Sequence, residues 1–274
     1  MLKIKEYLKP KTIEEAYEFG NLLNSLYVSG GLIVAQLKVS HLERLVDLKT
    51  LGMDEIEDGN TVKIGANVKL ASFMKNSILS TLNNGFFKEV AKEIGSTQIR
   101  NMATIGGSIA FRLGWSDVTT IFMTAKSQVE LYDGIFRKMS LENFIKDGKR
   151  DQIVTAVYLP KNARFLAFEK FAKSTFDIAT LNLGIALSLK DDRIEDVTVV
   201  VGSRPMISER VREVEEFLTG KDLLSSMDKA ADLMEKVIKV GTDMRASSEY
   251  RKALAGALLK KAMRRICHES GIQS

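Results

Sequence analysis

"IRNMATIGGSIA", residues 99–110, places two adjacent glycines between Thr104 and Ser108, with apolar residues on both sides. A packed core does not require this pattern, whereas glycine lets the backbone approach a ligand closely and adopt a positive φ without steric cost. Successive N–H groups in such a turn form a concave site for anions, above all phosphate. The stretch therefore predicts a turn at Gly106-Gly107 whose amides and flanking hydroxyls can hold an anion.

A second glycine pair, Gly30-Gly31, follows a predicted strand. Two such turns could hold the two phosphates of a dinucleotide. Neither pair fits the G-x-G-x-x-G fingerprint of dinucleotide folds, and the sequence contains no G-x-x-x-x-G-K-[ST] phosphate loop. From these residues alone two interpretations stay open, a pair of anion sites or two ordinary tight turns.

The composition predicts a two-domain globular protein, because 274 residues exceed the size at which single cores usually stop growing, about 250 residues. No apolar run approaches the roughly 20 residues of a membrane-spanning helix, and "MLKIKEYLKP" lacks the apolar core of a signal peptide. We therefore expect a cytoplasmic protein without a membrane span. The basic run "KKAMRR" is typical of a solvated helix face and lacks a nucleic-acid reader motif, so nucleic acid is not an expected partner.

The counts of cysteine and histidine exclude several kinds of site. With one cysteine, Cys267, the chain forms no internal disulfide, and it cannot carry an iron–sulfur cluster alone, because such clusters usually need four thiolates. The two histidines, His41 and His268, are far apart in sequence. A zinc site of His and Cys ligands and a Cys–His nucleophile pair are therefore not expected.

Local patterns predict the elements of the N-terminal part. Thr12 with Glu15 three residues later forms a capping box, so a helix begins there. The runs "SLYVSGG", "RLVDL" and "TVKIGANV" have strand patterns, whereas "KLASFMKNSIL", "GFFKEVAKEIG" and "VTTIFMTA" have helical patterns. Asp133-Gly134 between two β-prone runs predicts a hairpin. "DQIVTAVYLP" predicts a strand that Pro160 closes.

The pattern changes near residue 160, where we place a boundary between domains 1–160 and 161–274. "RFLAFEKFAK", "IATLNLGIALSLK" and "IEDVTVVVGS" predict three strands, the last two joined as a hairpin by "DDR". Ser208 is a good N-cap for the helix "SERVREVEEFL", and two long amphipathic helices follow. The C-terminal domain is therefore predicted to be α+β, with a three-stranded antiparallel sheet and helices.

The longer stretch "IGSTQIRNMATIGGSIA", residues 94–110, resembles the flavin-binding signature of the molybdenum hydroxylase family. That signature is close to I-G-S-x-Q-I-R-N-x-G-T-I-G-G-N, and the family includes xanthine dehydrogenase, carbon monoxide dehydrogenase and related aldehyde or aromatic hydroxylases. "FEKFAKSTFDIATLNLGIAL" and "DMRASSEYRKALAGALLKKAM" resemble later segments of the same family, in the same order and with similar spacing. The resemblance covers almost the whole chain.

This resemblance implies the medium, FAD-carrying subunit of a molybdenum hydroxylase. It implies an α+β chain, in which a two-part α/β FAD-binding domain of the vanillyl-alcohol oxidase or PCMH type precedes a smaller α+β domain. The implied partners are a molybdopterin subunit, which hydroxylates the substrate, and a subunit with two [2Fe–2S] clusters. Electrons would pass from those clusters through FAD to NAD or another acceptor, and the single cysteine agrees with clusters that lie on another chain.

The resemblance also assigns candidate FAD-binding residues. The two glycine loops would wrap the pyrophosphate, Asp117 would be the partner of a ribose hydroxyl, and Ile94 would lie near the flavin. Val154 and Lys170 fall near further FAD contacts of the family. The full implied set is Ser29, Gly30, Gly31, Leu32, Ile33, Val34, Ile94, Thr104, Ile105, Gly106, Gly107, Ser108, Asp117, Val154 and Lys170.

The sequence departs from the family pattern at several of these positions. The first loop reads Gly30-Gly31-Leu32-Ile33 where the family usually has G-G-T-D-L or similar, so a hydroxyl and a carboxylate are absent. Ser108 replaces the usual asparagine. "FRLGWSD" replaces a small, proline-containing stretch, and Met102-Ala103 lacks the usual glycine before Thr104. Two alternatives therefore accompany the redox subunit, namely an assembly subunit that has lost flavin binding and a stand-alone flavoprotein.

Overall fold

Three β-sheets organise the protein, which is described here from a computed structural model covering residues 4–37, 41–149, 151–162, 164–203 and 206–272. The elements of the N-terminal part are β1 (Glu6–Leu8), α1 (Ile13–Gly20), β2 (Ser25–Val28), β3 (Arg44–Asp47), β4 (Ile56–Asp58), β5 (Thr61–Gly65), α2 (Leu70–Lys75), α3 (Ser77–Thr81), α4 (Phe86–Lys92), α5 (Thr97–Met102), α6 (Ile105–Ala110), α7 (Asp117–Thr124), β6 (Gln128–Tyr132), β7 (Phe136–Ser140), α8 (Leu141–Asp147) and β8 (Ile153–Pro160). Short 3-10 turns lie at Val34–Gln36 and Leu82–Gly85.

The first sheet is parallel, with the order β1-β3-β2. Helix α1 begins where the capping box predicts, since the Thr12 side chain accepts a hydrogen bond from the Glu15 amide at 3.2 Å. A small core joins α1 and this sheet to the second sheet through Ala16, Val46 and Ile153, each at most 1% exposed. The strand β2 ends at Val28, one residue short of the first glycine pair, and so fixes the start of that loop.

The second sheet is antiparallel, with the order β4-β5-β8-β6-β7. Strands β6 and β7 form the predicted hairpin, and Gly134 takes φ +99° in its turn. Helices α2 to α7 lie between β5 and β6 in the chain, and their apolar faces form the largest core together with this sheet. The second glycine pair is therefore anchored on a sheet different from the one that carries the first.

The C-terminal part contains β9 (Phe165–Phe171), β10 (Leu181–Lys190), β11 (Arg193–Ser203), β12 (Glu209–Arg210), α9 (Arg212–Leu218), α10 (Leu223–Val237) and α11 (Ser248–Ser270). Its antiparallel sheet has the order β12-β11-β10-β9, and α9, α10 and α11 share a second apolar core with it. In the described part of the chain, no helix is both long and apolar enough to cross a bilayer.

Two sequence predictions about this part are wrong. The sheet has four strands rather than three, because Glu209–Arg210 pairs with Val200 and Val201 of β11 instead of beginning a helix. Ser208 is consequently not an N-cap; its hydroxyl donates to the Gly114 carbonyl at 3.3 Å, which ties it to the N-terminal part. The chain turns helical only at Arg212.

The predicted boundary at residue 160 falls between β8 of the second sheet and β9 of the third. The two parts nevertheless pack closely through α7. Gly184 of β10 lies so near α7 that an added Cβ would be 2.1 Å from the Thr124 hydroxyl oxygen. This close packing places polar side chains of β9 and β10 beside the start of α7, next to the glycine loops.

Candidate functional site

An open cleft of about 260 Å³ lies where the loop after β2, the segment from α4 to α7, the start of β8 and the β9–β10 loop meet. The sequence elements that were predicted to bind one ligand are thus brought together from distant parts of the chain. The predicted residues that line this cleft are Ser29, Gly30, Gly31, Leu32, Ile33, Val34, Ile94, Thr104, Gly106, Gly107, Ser108, Asp117 and Val154.

Ile105 and Lys170, the two remaining predicted residues, do not line the cleft. The Ile105 side chain is fully buried in the main core, and its amide donates to the Val68 carbonyl at 2.9 Å. The Lys170 ammonium donates to the Glu93 carbonyl at 2.8 Å and lies 3.4 Å from the Asp117 carboxylate. Lys170 therefore acts on the cleft only through its neighbours.

Glycine is required at the two positions of the first loop for different structural reasons. A Cβ on Gly30 would lie 1.8 Å from the Met102 carbonyl oxygen, so glycine is needed for the close approach of the loop to the end of α5. Gly31 takes φ +75°, the left-handed region that glycine favours. The Ser29 hydroxyl donates to the Asn67 side-chain oxygen at 2.6 Å, which fixes the start of the loop against the second sheet.

The amides of the first loop are free donors beside the cleft. Among the described residues, no acceptor lies within hydrogen-bonding distance of the backbone N–H groups of residues 30–34, although these residues line the cleft. Leu32, which replaces a polar residue of the family pattern, packs against the main core. The loop thus offers main-chain donors on an apolar support, an arrangement suited to an anion.

The second glycine pair is not in a turn, contrary to the sequence prediction. Gly106 and Gly107 lie in the first turn of α6, where the Thr104 hydroxyl oxygen caps the helix by accepting from the Gly107 amide at 3.2 Å. The Gly106 amide donates to the Ala66 carbonyl at 2.8 Å and the Ser108 amide donates to the Thr104 carbonyl at 3.0 Å. Most donors expected here for an anion are therefore already used within the protein.

Close packing explains Gly106, whereas Gly107 faces more open space. A Cβ on Gly106 would lie 2.5 Å from the Ala66 side chain, so this glycine lets α6 contact the second sheet. A Cβ on Gly107 would meet only the Thr104 hydroxyl oxygen, at 2.8 Å. The Ser108 hydroxyl donates to the Thr104 carbonyl at 2.8 Å, so it stabilises the same turn.

Asp117 begins α7 and connects the cleft to the C-terminal part. One carboxylate oxygen accepts from the Asn182 amide group at 2.7 Å, and the other faces the Lys170 ammonium at 3.4 Å. Burial raises the pKa of the Asp117 carboxyl above its ordinary value, while Lys170 and Asn182 act in the opposite direction by stabilising the anion. The carboxylate oxygens keep lone pairs that can accept from a ligand hydroxyl.

Sequence reasoning missed several residues of the cleft. Trp115, the only tryptophan of the chain, lines it two residues before Asp117, and its position beside a predicted site residue was the available signal. Tyr27 and Phe176 also line it, and Phe176 comes from the β9–β10 loop with 59% of its surface exposed. Within the ranges that the structure describes, no group of His, Cys, Asp and Glu is placed to hold a metal ion.

Two protein families match the chain in consecutive regions. Residues 2–162 match the FAD binding domain in molybdopterin dehydrogenase. Residues 166–266 match the CO dehydrogenase flavoprotein C-terminal domain. These matches confirm the family resemblance expected from the sequence.

Individual relatives are similar over nearly their whole length. The nicotine 6-hydroxylase medium subunit of Paenarthrobacter nicotinovorans is 25% identical over 270 residues, covering 94% of this chain and 95% of that protein. The glyceraldehyde dehydrogenase medium chain of Sulfolobus acidocaldarius is 26% identical over 276 residues, with 95% and 97% covered. A solved carbon monoxide dehydrogenase from Hydrogenophaga pseudoflava has a similar fold, with a TM-score of 0.90 at 23% identity over 96% of this chain and 97% of that chain.

Proposed function

This chain belongs to the family of FAD-binding medium subunits of molybdopterin dehydrogenases, and from that premise we propose that its cleft binds FAD with the diphosphate on the first glycine loop. The observation that carries the proposal is that residues 30–34 line the cleft while their backbone N–H groups have no acceptor among the described residues. The proposal rests on main-chain donors, so it does not require the hydroxyl and carboxylate that Leu32 and Ile33 replace.

The remaining walls fit the other parts of the cofactor. We assign a ribose hydroxyl to Asp117, which lines the cleft at the start of α7 and whose two oxygens retain acceptor capacity. Ile94, Val154 and Leu113 supply apolar surface that excludes water from a planar ring system. Thr104 and Gly107 also line the cleft, and the α6 cap holds them together. Bound FAD would supply the redox chemistry, since its ring can accept and release electrons.

The electrons must come from outside this chain. Its single cysteine, Cys267, is buried in the C-terminal core and cannot provide the thiolates of a cluster. We therefore propose that the chain assembles with an iron–sulfur subunit carrying [2Fe–2S] clusters and with a molybdopterin subunit. NAD or another compound would be the final acceptor. Copurification of these subunits with the tagged chain tests the assembly.

Titration of the flavin-free full chain with FAD tests cofactor binding. Trp115 lies in the cleft and is the only tryptophan, so bound flavin is expected to quench the intrinsic fluorescence of the protein in a saturable way. Riboflavin, which lacks the diphosphate, is the matched ligand control and is expected to bind much more weakly. A Trp115→Phe variant should lose the fluorescence signal but retain flavin absorbance after gel filtration. Absence of any FAD uptake would refute the proposal.

The second candidate function is an assembly subunit that does not bind flavin. The observation in its favour is that Leu32 packs against the main core and that most α6 donors are already bonded within the protein. Replacement of Gly107 by valine separates the two functions, because this residue faces the cleft. Loss of FAD binding with intact assembly supports the redox subunit. Loss of assembly in a chain that never binds flavin supports the alternative.

A further inference from the structure

The arginine of the "QIRN" stretch has a role that the proposed function does not use. Arg100 lies in α5, and one guanidinium nitrogen, Nη1, contacts three backbone carbonyl oxygens at the last residue of α4 and in the segment just after it. The distances are 3.0 Å to Lys92, 3.2 Å to Ile94 and 2.5 Å to Gly95. Its second nitrogen, Nη2, donates to the Thr97 hydroxyl at 3.3 Å.

The Lys92 carbonyl is one of the groups that a helix end leaves without an intrahelical partner, and the Ile94 and Gly95 carbonyls belong to the segment that follows this end. The cation therefore satisfies them and is favoured by the negative end of the α4 dipole. Lys170 donates to the Glu93 carbonyl at 2.8 Å, so two cations from different elements hold consecutive residues of one short segment. Gly95 takes φ +57° there, and a Cβ on it would lie 2.8 Å from the Ile99 side chain. The segment consequently has one well-determined conformation.

The segment held in this way is also a wall of the cleft. Ile94 and Gly95 line the cleft, and Ile99 of the same helix as Arg100 lines it as well. Arg100 itself is absent from the lining, so it would reach a ligand only through the residues it holds. A displacement of this wall would alter the width of the space that is available to a flat ring.

We infer that Arg100 is a positioning residue for FAD: its guanidinium gathers the Lys92, Ile94 and Gly95 carbonyls and so sets the Ile94–Gly95 wall of the cleft. This inference rests on the proposed function and extends it to a residue outside the cleft. A methionine at this position keeps most of the apolar stem but removes all the donors. A lysine keeps one cation that cannot reach three carbonyls and the Thr97 hydroxyl in the same fork geometry.

Three variants of the full chain test the inference, namely Arg100→Met, Arg100→Lys and the control Arg265→Met. Arg265 is an exposed arginine of α11 that pairs with Glu269 at 3.2 Å and is not among the residues that line the cleft. We expect the dissociation constant for FAD to rise by about tenfold or more in Arg100→Met, the effect of losing one charge-assisted hydrogen bond network. Arg100→Lys should lie between Arg100→Met and the wild type, and Arg265→Met should bind like the wild type.

Two further readouts separate positioning of FAD from simple helix capping. Hydrogen exchange in the flavin-free Arg100→Met chain should accelerate within residues 92–99 only, and the bound flavin should show an altered visible spectrum. Wild-type affinity and spectrum in Arg100→Met would overturn the inference while leaving the proposed function intact. If Arg100→Met fails to fold, Arg100→Lys decides by the same criteria. A wild-type chain that takes up no FAD refutes the proposed function and this inference with it.

Discussion

Replacement of Gly30 by alanine should abolish tight FAD binding with little change in the rest of the fold. The added Cβ would lie 1.8 Å from the Met102 carbonyl oxygen, whereas real Cβ contacts are essentially never below 3.0 Å. The first loop or the end of α5 must therefore move by at least about 1.2 Å, the difference between these two distances. A donor displaced this far from an anion leaves the range of about 2.7–3.2 Å of a hydrogen bond.

The magnitude follows from the number of donors that move. If two of the N–H groups at residues 30–34 lose the diphosphate, and each charge-assisted bond contributes about 1.5–3 kcal/mol, binding weakens by about 3–6 kcal/mol. This corresponds to an increase of about 10²- to 10⁴-fold in the dissociation constant. The assay is the quenching of Trp115 fluorescence during titration of the flavin-free chain with FAD.

The matched control is Gly59→Ala, because a Cβ there would meet only the Thr61 carbonyl oxygen at 3.5 Å, an ordinary contact. Its affinity for FAD should equal that of the wild type. Urea unfolding of both variants establishes that the folds are intact. Wild-type FAD affinity in a folded Gly30→Ala chain would refute the assignment of the diphosphate to the first loop.

The other predictions concern the polar groups beside the cleft. Lys170→Met should lower the free energy of unfolding by about 3 kcal/mol at pH 7, because Asp117 stays buried without its cation. Since burial raises the pKa of that carboxyl, the stability that the variant loses should return as pH falls below about 3, under the ordinary aspartate pKa of about 3.9, because the group is then protonated in the folded and unfolded states. Urea unfolding at pH 7 and at the lower pH checks this. Asn182→Leu should lower the free energy of unfolding by about 2–3 kcal/mol, because Asp117 loses a hydrogen bond. An equal effect of this substitution in the Lys170→Met background would exclude energetic coupling between Asn182 and Lys170. Thr104→Val should lower the free energy of unfolding by about 1 kcal/mol, because it removes the side-chain cap of α6. Thr104→Ser keeps the capping hydroxyl and should retain the thermal stability of the wild type.

Local signals explain which elements could be predicted from the sequence. The Thr12–Glu15 capping box begins a helix through contacts within four residues, and Gly134 meets the demand for a positive φ in its hairpin turn. Such preferences are decided by near neighbours in the chain, so they survive in the folded protein. The same holds for the long hairpin of β10 and β11, which Asp191 and Asp192 connect with positive φ values.

Non-local contacts explain what could not be predicted. The segment after Ser208 has helical composition, yet Glu209–Arg210 pairs with β11 because that strand exposes an edge beside it. The sequence around the second glycine pair predicts a turn. In the structure, however, glycine is needed at position 106 because the backbone there contacts Ala66, which precedes it by 40 residues in the chain. The set of cleft residues was accessible through the family resemblance. Which backbone N–H groups of the two glycine segments remain free of hydrogen bonds could be determined only from the three-dimensional structure.

Hydrogen exchange of the full chain with and without FAD tests the central claim most directly. The N–H groups of residues 30–34 have no acceptor among the described residues, whereas those of Ile105, Gly106 and Ser108 are already bonded. Saturation with FAD should therefore slow exchange in the peptide that contains residues 30–34 and leave the peptide that contains residues 105–108 nearly unchanged. New protection at 105–108 with none at 30–34 would contradict the account.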